Sequence, residues 1–183
     1  NGITTNGIQH GAINKSNRAY FFKTSDQAYK PFPDHMLVWG TGIRDFLVND
    51  SGCAQEGVVV LGQLRSDMLL QPSNTPQHSI YTSIPKSHTK IIFASQPQPD
   101  LSLRKQAAID TIAAANELND LTLIIKVHPG EDKAYYQSII NEMNAQHTIA
   151  VKDEIELYPL IEYCDALMTC YSTVGAETVY FNK

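Results

Sequence analysis

The second half of the chain alternates short apolar runs with stretches of helical periodicity. "KIIFAS" at 90–95 is apolar and rich in β-branched residues, and Pro97 and Pro99 end it. Asp100 then stands where a helix N-cap belongs, and Leu101, Ala108, Ile112 and Ala115 recur at helical spacing up to about Leu118. "LTLIIKV" at 121–127 is a continuous apolar strand. "AYYQSIINEMN" puts Tyr135, Ile139, Ile140 and Met143 on one helical face. "HTIAVK" predicts a strand, "EIELYPLIEYC" a helix with Pro159 in its first turns, "DALMTC" a strand and "STVGAETVYF" a further helix. A β-α-β-α-β-α-β-α rhythm at this spacing predicts a parallel sheet covered by helices, a Rossmann-like unit.

The first half is sparser. "TTNGIQHG" reads as a strand end or loop and "HMLVWG" as a strand. "TGIRDFLVNDSG" reads as a helix closed by Gly52, and "GVVVLG" as a strand. Residues 71–89, rich in Pro, Ser, Thr and Gln, read as a connection. The expected organisation is α/β. Residues 1–70 form the C-terminal part of a first Rossmann-like unit, 71–89 a linker, and 90–183 a second unit truncated at its end. The chain opens on Asn1 and stops inside a helical run, so it reads as a piece of something longer.

Composition narrows the function classes. Of 183 residues, 43% are hydrophobic and 18% charged, which is ordinary globular composition. The formal net charge is -5, and no Lys/Arg run marks a nucleic-acid footprint. The 6 histidines are scattered, with no helical pair of metal-site spacing. Cys53, Cys164 and Cys170 are widely spaced and read as thiols of a reducing cytosol. No stretch approaches the roughly 20 apolar residues that span a bilayer, which leaves room only for peripheral membrane association. The expected location is the cytoplasm, at the inner face of the membrane where such association occurs.

In open parallel sheets, ligands sit beyond the carboxyl ends of the strands. His128 ends a strand there, and Pro129 and Gly130 turn the chain away from it. Its imidazole could donate to a phosphate oxygen or move a proton, or it could simply cap the sheet by bonding a loop carbonyl. Ser172 and Thr173 fall where a helix begins, a position that favours phosphate but equally suits plain capping. Gly175 would let a ligand approach the backbone, and Glu177 could accept from ribose hydroxyls. His10 lies between glycines after a strand. Arg65 is a phosphate clamp or a partner of Asp67. Glu131 and Asp132 read as solvated acids of a turn, the alternative being a metal or acceptor role. "WGTG" at 39–42 is too short for a dinucleotide fingerprint, and no Walker loop, nucleophile elbow or HExxH motif occurs.

"QHG" at 9–11, "LGQLRSD" at 61–67, "KVHPGE" at 126–131 and "STVGAE" at 172–177 occur in that order. Together they resemble the GT-B class of nucleotide-sugar enzymes. Within it they are similar to bacterial surface-polysaccharide transferases: capsule glycosyltransferases, HP-motif sialyltransferases and CDP-glycerol glycerophosphotransferases. The non-hydrolysing UDP-N-acetylglucosamine 2-epimerases share the architecture. The resemblance implies a glycosyltransferase, or a related phospho-polyol transferase. Such an enzyme moves a group from a nucleotide-activated donor to a carbohydrate or polyol-phosphate acceptor in a growing surface polysaccharide. It implies that His128, Ser172 and Thr173 contact donor phosphate, that Glu177 meets the ribose, and that His10, across the cleft, is a base or an acceptor contact. It implies neither a metal nor a cofactor, the donor being the substrate.

Two departures matter. The paired acids and glycine that supply the base in sialyltransferases are not visible. The epimerases' His-Arg-Arg-Glu-Asn stretch is replaced by "SQPQPD" at 95–100, which weighs against epimerase chemistry. An epimerase-type enzyme and a non-catalytic nucleotide-binding module are the alternatives.

Overall fold

In the computed structural model, which describes residues 2–17, 19–20, 32–70 and 78–183, the chain divides into Asn1–Gln71 and Pro72–Lys183. The first unit holds three parallel strands in the order β1-β2-β3: β1 (Asn6–Ile8), β2 (His35–Val38) and β3 (Val58–Val60). Met36 and Val38 alternate inward along β2 and pack with Leu47 of helix α1 (Thr41–Ser51), Val58 and Cys53. Gly52 closes α1 at φ 66°, a left-handed position that suits a residue without Cβ.

The second unit has four parallel strands in the order β6-β5-β4-β7. They are β4 (Thr89–Ala94), β5 (Leu121–Lys126), β6 (Thr148–Val151) and β7 (Ala166–Met168). Helices α3 (Leu101–Asn116), α4 (Lys133–Glu142) and α5 (Leu157–Tyr163) fill the crossovers. Parallel sheets are buried on both faces, so β5 carries no polar alternation: Leu123, Ile124 and Ile125 are all 0% exposed. Leu123, Ile125 and Val127 form one cluster with Phe93, Ala108, Ile112, Tyr136, Ile139 and Ile140. Burying a side chain of this size contributes about 1.5–3 kcal/mol, and several share each layer. Asp100 caps α3 as its position predicts, accepting from the backbone N–H groups of Ser102 and Leu103. Pro159 is the third residue of α5, where its missing N–H costs no helical bond.

The fold is therefore α/β with parallel, Rossmann-like sheets. Two elements differ from expectation. Residues 71–77 of the expected linker lie outside the described residues, while Ile80–Ser83 beyond them forms a short helix, α2. The His78 ring accepts the N–H of Ile80 there, and Ile80 and Ile84 are buried. The last helix is only one turn, α6 (Val174–Glu177), followed by a 3-10 turn over Thr178–Phe181. The Thr178 hydroxyl donates to the carbonyl of Gly175 at 2.6 Å, a local bond that competes with helix continuation, and Asn182 then turns left-handed.

Candidate functional site

In the second unit, β5 and then β6 lie to one side of β4, and β7 lies to the other. Strand order therefore reverses between β4 and β7, which is where such sheets open a crevice at their carboxyl ends. His128 follows β5, and Ser172 and Thr173 follow β7. Both motifs thus flank the carboxyl end of β4.

Consecutive residues after β4 tie it to each neighbour. Ser95, 5% exposed, accepts the backbone N–H of His128 at 3.0 Å and donates to Glu131 Oε2 at 2.6 Å. Gln96 Oε1 accepts the N–H of Tyr171 at 2.9 Å and the hydroxyl of Thr169 at 3.3 Å. The Tyr171 hydroxyl donates to the carbonyl of Pro97 at 3.2 Å. The first turn of α3 offers no anion site, because the Asp100 carboxylate already occupies it.

The His128 ring is exposed, and its Nδ1 accepts the N–H of Gly130 at 3.0 Å. A neutral ring held this way carries its proton on Nε2, as a donor. Nδ1 is thus an acceptor within the turn and does not bond a loop carbonyl. Pro129 and Gly130 are exposed beside it. A Cβ on Gly130 would come within 3.3 Å of Nδ1, so the close approach of ring and turn favours glycine.

Ser172 and Thr173 are half-buried, and the Ser172 hydroxyl accepts from the N–H of Val174 at 3.3 Å. The N–H groups of Gly175, Ala176 and Glu177 bond back to the carbonyls of Ser172 and Thr173. With one helical turn behind them, the hydroxyls rather than a long helix dipole are what this corner offers. Gly175 sits against Thr169, whose methyl would lie 3.1 Å from an added Cβ, so its lack of a side chain serves packing. Glu177 departs from expectation: it is 3% exposed, and its carboxylate is not presented to a ribose.

Glu131 overturns its reading as a solvated acid. Its side chain is 1% exposed, and Ser95, the Tyr136 hydroxyl at 2.9 Å and Arg104 at 3.4 Å all donate to it. Arg104 lies over the Tyr135 ring, 4.2 Å from its centroid. Lys152 donates to the Glu131 carbonyl at 2.7 Å, and Lys126 to the carbonyls of Lys152 and Ile155. Burial holds the Lys126 ammonium below its usual range, against the opposing pull of Asp153 and Glu154. Asp132 caps α4, accepting from the N–H of Ala134. Sequence spacing could have raised Tyr136, one turn past Glu131, but it contained no signal for Ser95 or Arg104.

In the first unit, His10 is exposed just past β1. Its neighbour Gln9 is buried, accepting from the N–H of Trp39 at 2.8 Å and donating to the carbonyl of Gly11 at 2.9 Å. Arg65 is exposed in the 3-10 turn after β3. Among the described residues, no group of three or more His, Cys, Asp or Glu could hold a metal ion, and no helix is long and apolar enough to cross a membrane.

No family profile matches the chain, and no curated protein matches it. Solved structures do. The UDP-GlcNAc 2-epimerase from Methanocaldococcus jannaschii superposes with a TM-score of 0.57 at 13% identity, covering 98% of this chain and 52% of that one. The wall teichoic acid polymerase TagF, in a histidine-to-asparagine form soaked with CDPG, gives 0.54 at 16% identity, covering 92% of this chain and 40% of that one. This chain spans about half the length of the first and less of the second. At these identities the likeness establishes a GT-B-like fold.

Proposed function

We propose that the chain carries the donor-binding part of a GT-B transferase. The enzyme would move a sugar or polyol-phosphate group from a nucleotide-activated donor to an acceptor in a bacterial surface polysaccharide. One arrangement carries the reading: His128 after β5 and Ser172–Thr173 after β7 stand on either side of β4, where strand order reverses. A donor phosphate there would accept from His128 Nε2 and from the two hydroxyls. Preset donors of this kind stabilise negative charge as the bond to the leaving phosphate breaks. Pro129 and Gly130 shape the turn that presents the ring. On the first unit, His10 is the proposed acceptor-side base and Arg65 a second phosphate contact. The donor is a substrate, and the reading assigns no metal or cofactor. A membrane-borne acceptor would bring the enzyme to the inner membrane face by peripheral association.

The test is thermal-shift titration with CMP, CDP, UDP and GDP, on this chain and on the full-length protein. A native-state ligand at a hundredfold excess over its dissociation constant adds about 2.7 kcal/mol. The expected result is a shift with one nucleotide that His128→Ala and Ser172→Ala each abolish. Absence of a shift with all four in the full-length protein would sink the proposal. Conversion of a UDP-sugar with no acceptor present would instead identify epimerase chemistry.

A further inference from the structure

The buried carboxylate beneath the His128 turn has no place in the donor site itself. Three donors converge on Glu131, and one of them, Ser95, also meets the backbone N–H of His128. A serine hydroxyl has one proton. The backbone N–H of His128 can only donate, so the Ser95 oxygen accepts it at 3.0 Å and the serine proton goes to Glu131 Oε2 at 2.6 Å. The carboxylate is therefore the terminal acceptor of a short chain that anchors the turn to the core through Ser95. The turn is also closed by the Glu131 N–H on the His128 carbonyl at 2.9 Å and held from β6 by Lys152. Within it, the N–H of Gly130 reaches Nδ1 of the ring.

We infer that Glu131 is a positioning residue that, through Ser95, holds the His128 imidazole as the Nε2–H tautomer, with its donor edge turned outward. The inference rests on the proposed use of His128 as a hydrogen-bond donor to phosphate, but its first test does not. A glutamine at 131 offers one acceptor and one amide donor to three donors. Either Ser95 loses its acceptor or an N–H faces Arg104 or Tyr136. Alanine at 95 removes the link and spares the carboxylate. Threonine at 95 restores a hydroxyl.

The first measurement is the ring nitrogen chemical shifts of His128 in 15N-labelled protein at about pH 8, above the ordinary imidazole range. The His128→Asn variant assigns the signals. The wild type should show distinct protonated Nε2 and bare Nδ1 resonances. In S95A and E131Q the two should move towards the average of a free imidazole, while S95T keeps the wild-type pattern. If S95A and E131Q retain the wild-type shifts in a folded protein, the positioning role is refuted. Should E131Q fail to fold, S95A against S95T still decides.

The second measurement is affinity for the nucleotide that stabilises the wild type. S95A should lose most of what H128N loses, and S95T little. A loss in H128N alone would overturn the positioning role and leave the donor site standing. A tautomer change with no loss of affinity in H128N would overturn the donor reading and leave the positioning role standing.

Discussion

Tyr136→Phe is the cleanest probe of the network under the candidate site. Tyr136 is 1% exposed and its hydroxyl donates to Glu131 Oε1 at 2.9 Å. The other donor on that oxygen, Arg104, stands off at 3.4 Å. Removing the hydroxyl leaves the ring packing in place and takes away the shorter of the two bonds. Hydrogen bonds to charged groups contribute about 1.5–3 kcal/mol. A loss of about 2 kcal/mol is expected, and at about 4 °C per kcal/mol for a unit of this size the midpoint should fall by roughly 8 °C. Thermal and urea unfolding followed by far-ultraviolet dichroism would measure the midpoint and the free energy, in the wild-type and Glu131→Gln backgrounds. The cost should shrink by at least about 1 kcal/mol when Glu131 is already changed, because contacting groups couple. A cost under about 0.5 kcal/mol, or the same cost in both backgrounds, would refute the reasoning. There is a pH signature as well. Burial, reinforced by Glu131, raises the Tyr136 phenol above its usual 10.0. Stability from this source is intact below pH 10.0 and is lost as pH rises beyond it, so the phenylalanine variant should lose less in that range.

Other perturbations address separate features. Burial, helped by Asp165, pushes the Cys164 thiol from 9.0 up to about 12, so its contribution is present below pH 9.0 and is lost as pH rises towards 12. Cys164→Ala should flatten the alkaline limb of the melting-temperature profile, and identical limbs would count against the assignment. Burial is the largest single influence on Glu154 and tends to raise it, but the bond from Lys133, backbone hydrogen bonds and the Lys133 charge together bring it down to about 2, so stability from these partners is lost as pH falls from 4.5 towards 2. Lys133→Ala should raise the Glu154 midpoint in carboxyl NMR yet cost under about 1 kcal/mol, since both side chains are over a third exposed. Gly130→Ala would crowd His128 Nδ1, and calorimetry should show weaker nucleotide binding with little change in melting temperature. Lys126→Met deprives the Lys152 and Ile155 carbonyls of their donor and should cost about 1–3 kcal/mol in urea unfolding.

Periodicity made the second sheet legible because β4 and β5 are buried runs and α3 has a self-contained cap at Asp100. Helix α1 was legible through Gly52 for the same local reason. What escaped depended on contacts between distant segments. Glu131 reads as polar in a turn, and only its convergence with Ser95, 36 residues earlier, and Arg104, 27 residues earlier, makes it a buried carboxylate. Helix α2 hid in a polar stretch because its stability comes from burying Ile80 and from a histidine cap rather than from repeating apolar positions. The last helix was overestimated because Thr178 spends its hydroxyl on the backbone. The strand ends after which His128, Ser172 and Thr173 stand are readable from sequence, whereas the burial of Glu177 is not.

The placement of β4 has a consequence for how the protein is made. Its pairing with β5 joins segments close in the chain, as the His88–Thr122 contact 34 residues apart shows. Its pairing with β7 joins Lys90 to Asp165 across 75 residues. Long-range closures come late in folding because the entropy of the loop must be met before the contact repays it. On a ribosome, β4, β5 and their helix can associate while β7 is still being synthesised, and the corner bearing Ser172 and Thr173 arrives after them. Pulse-labelled hydrogen exchange during refolding should therefore protect Ile124 before Leu167, and the proposed donor site should form with the slower of the two.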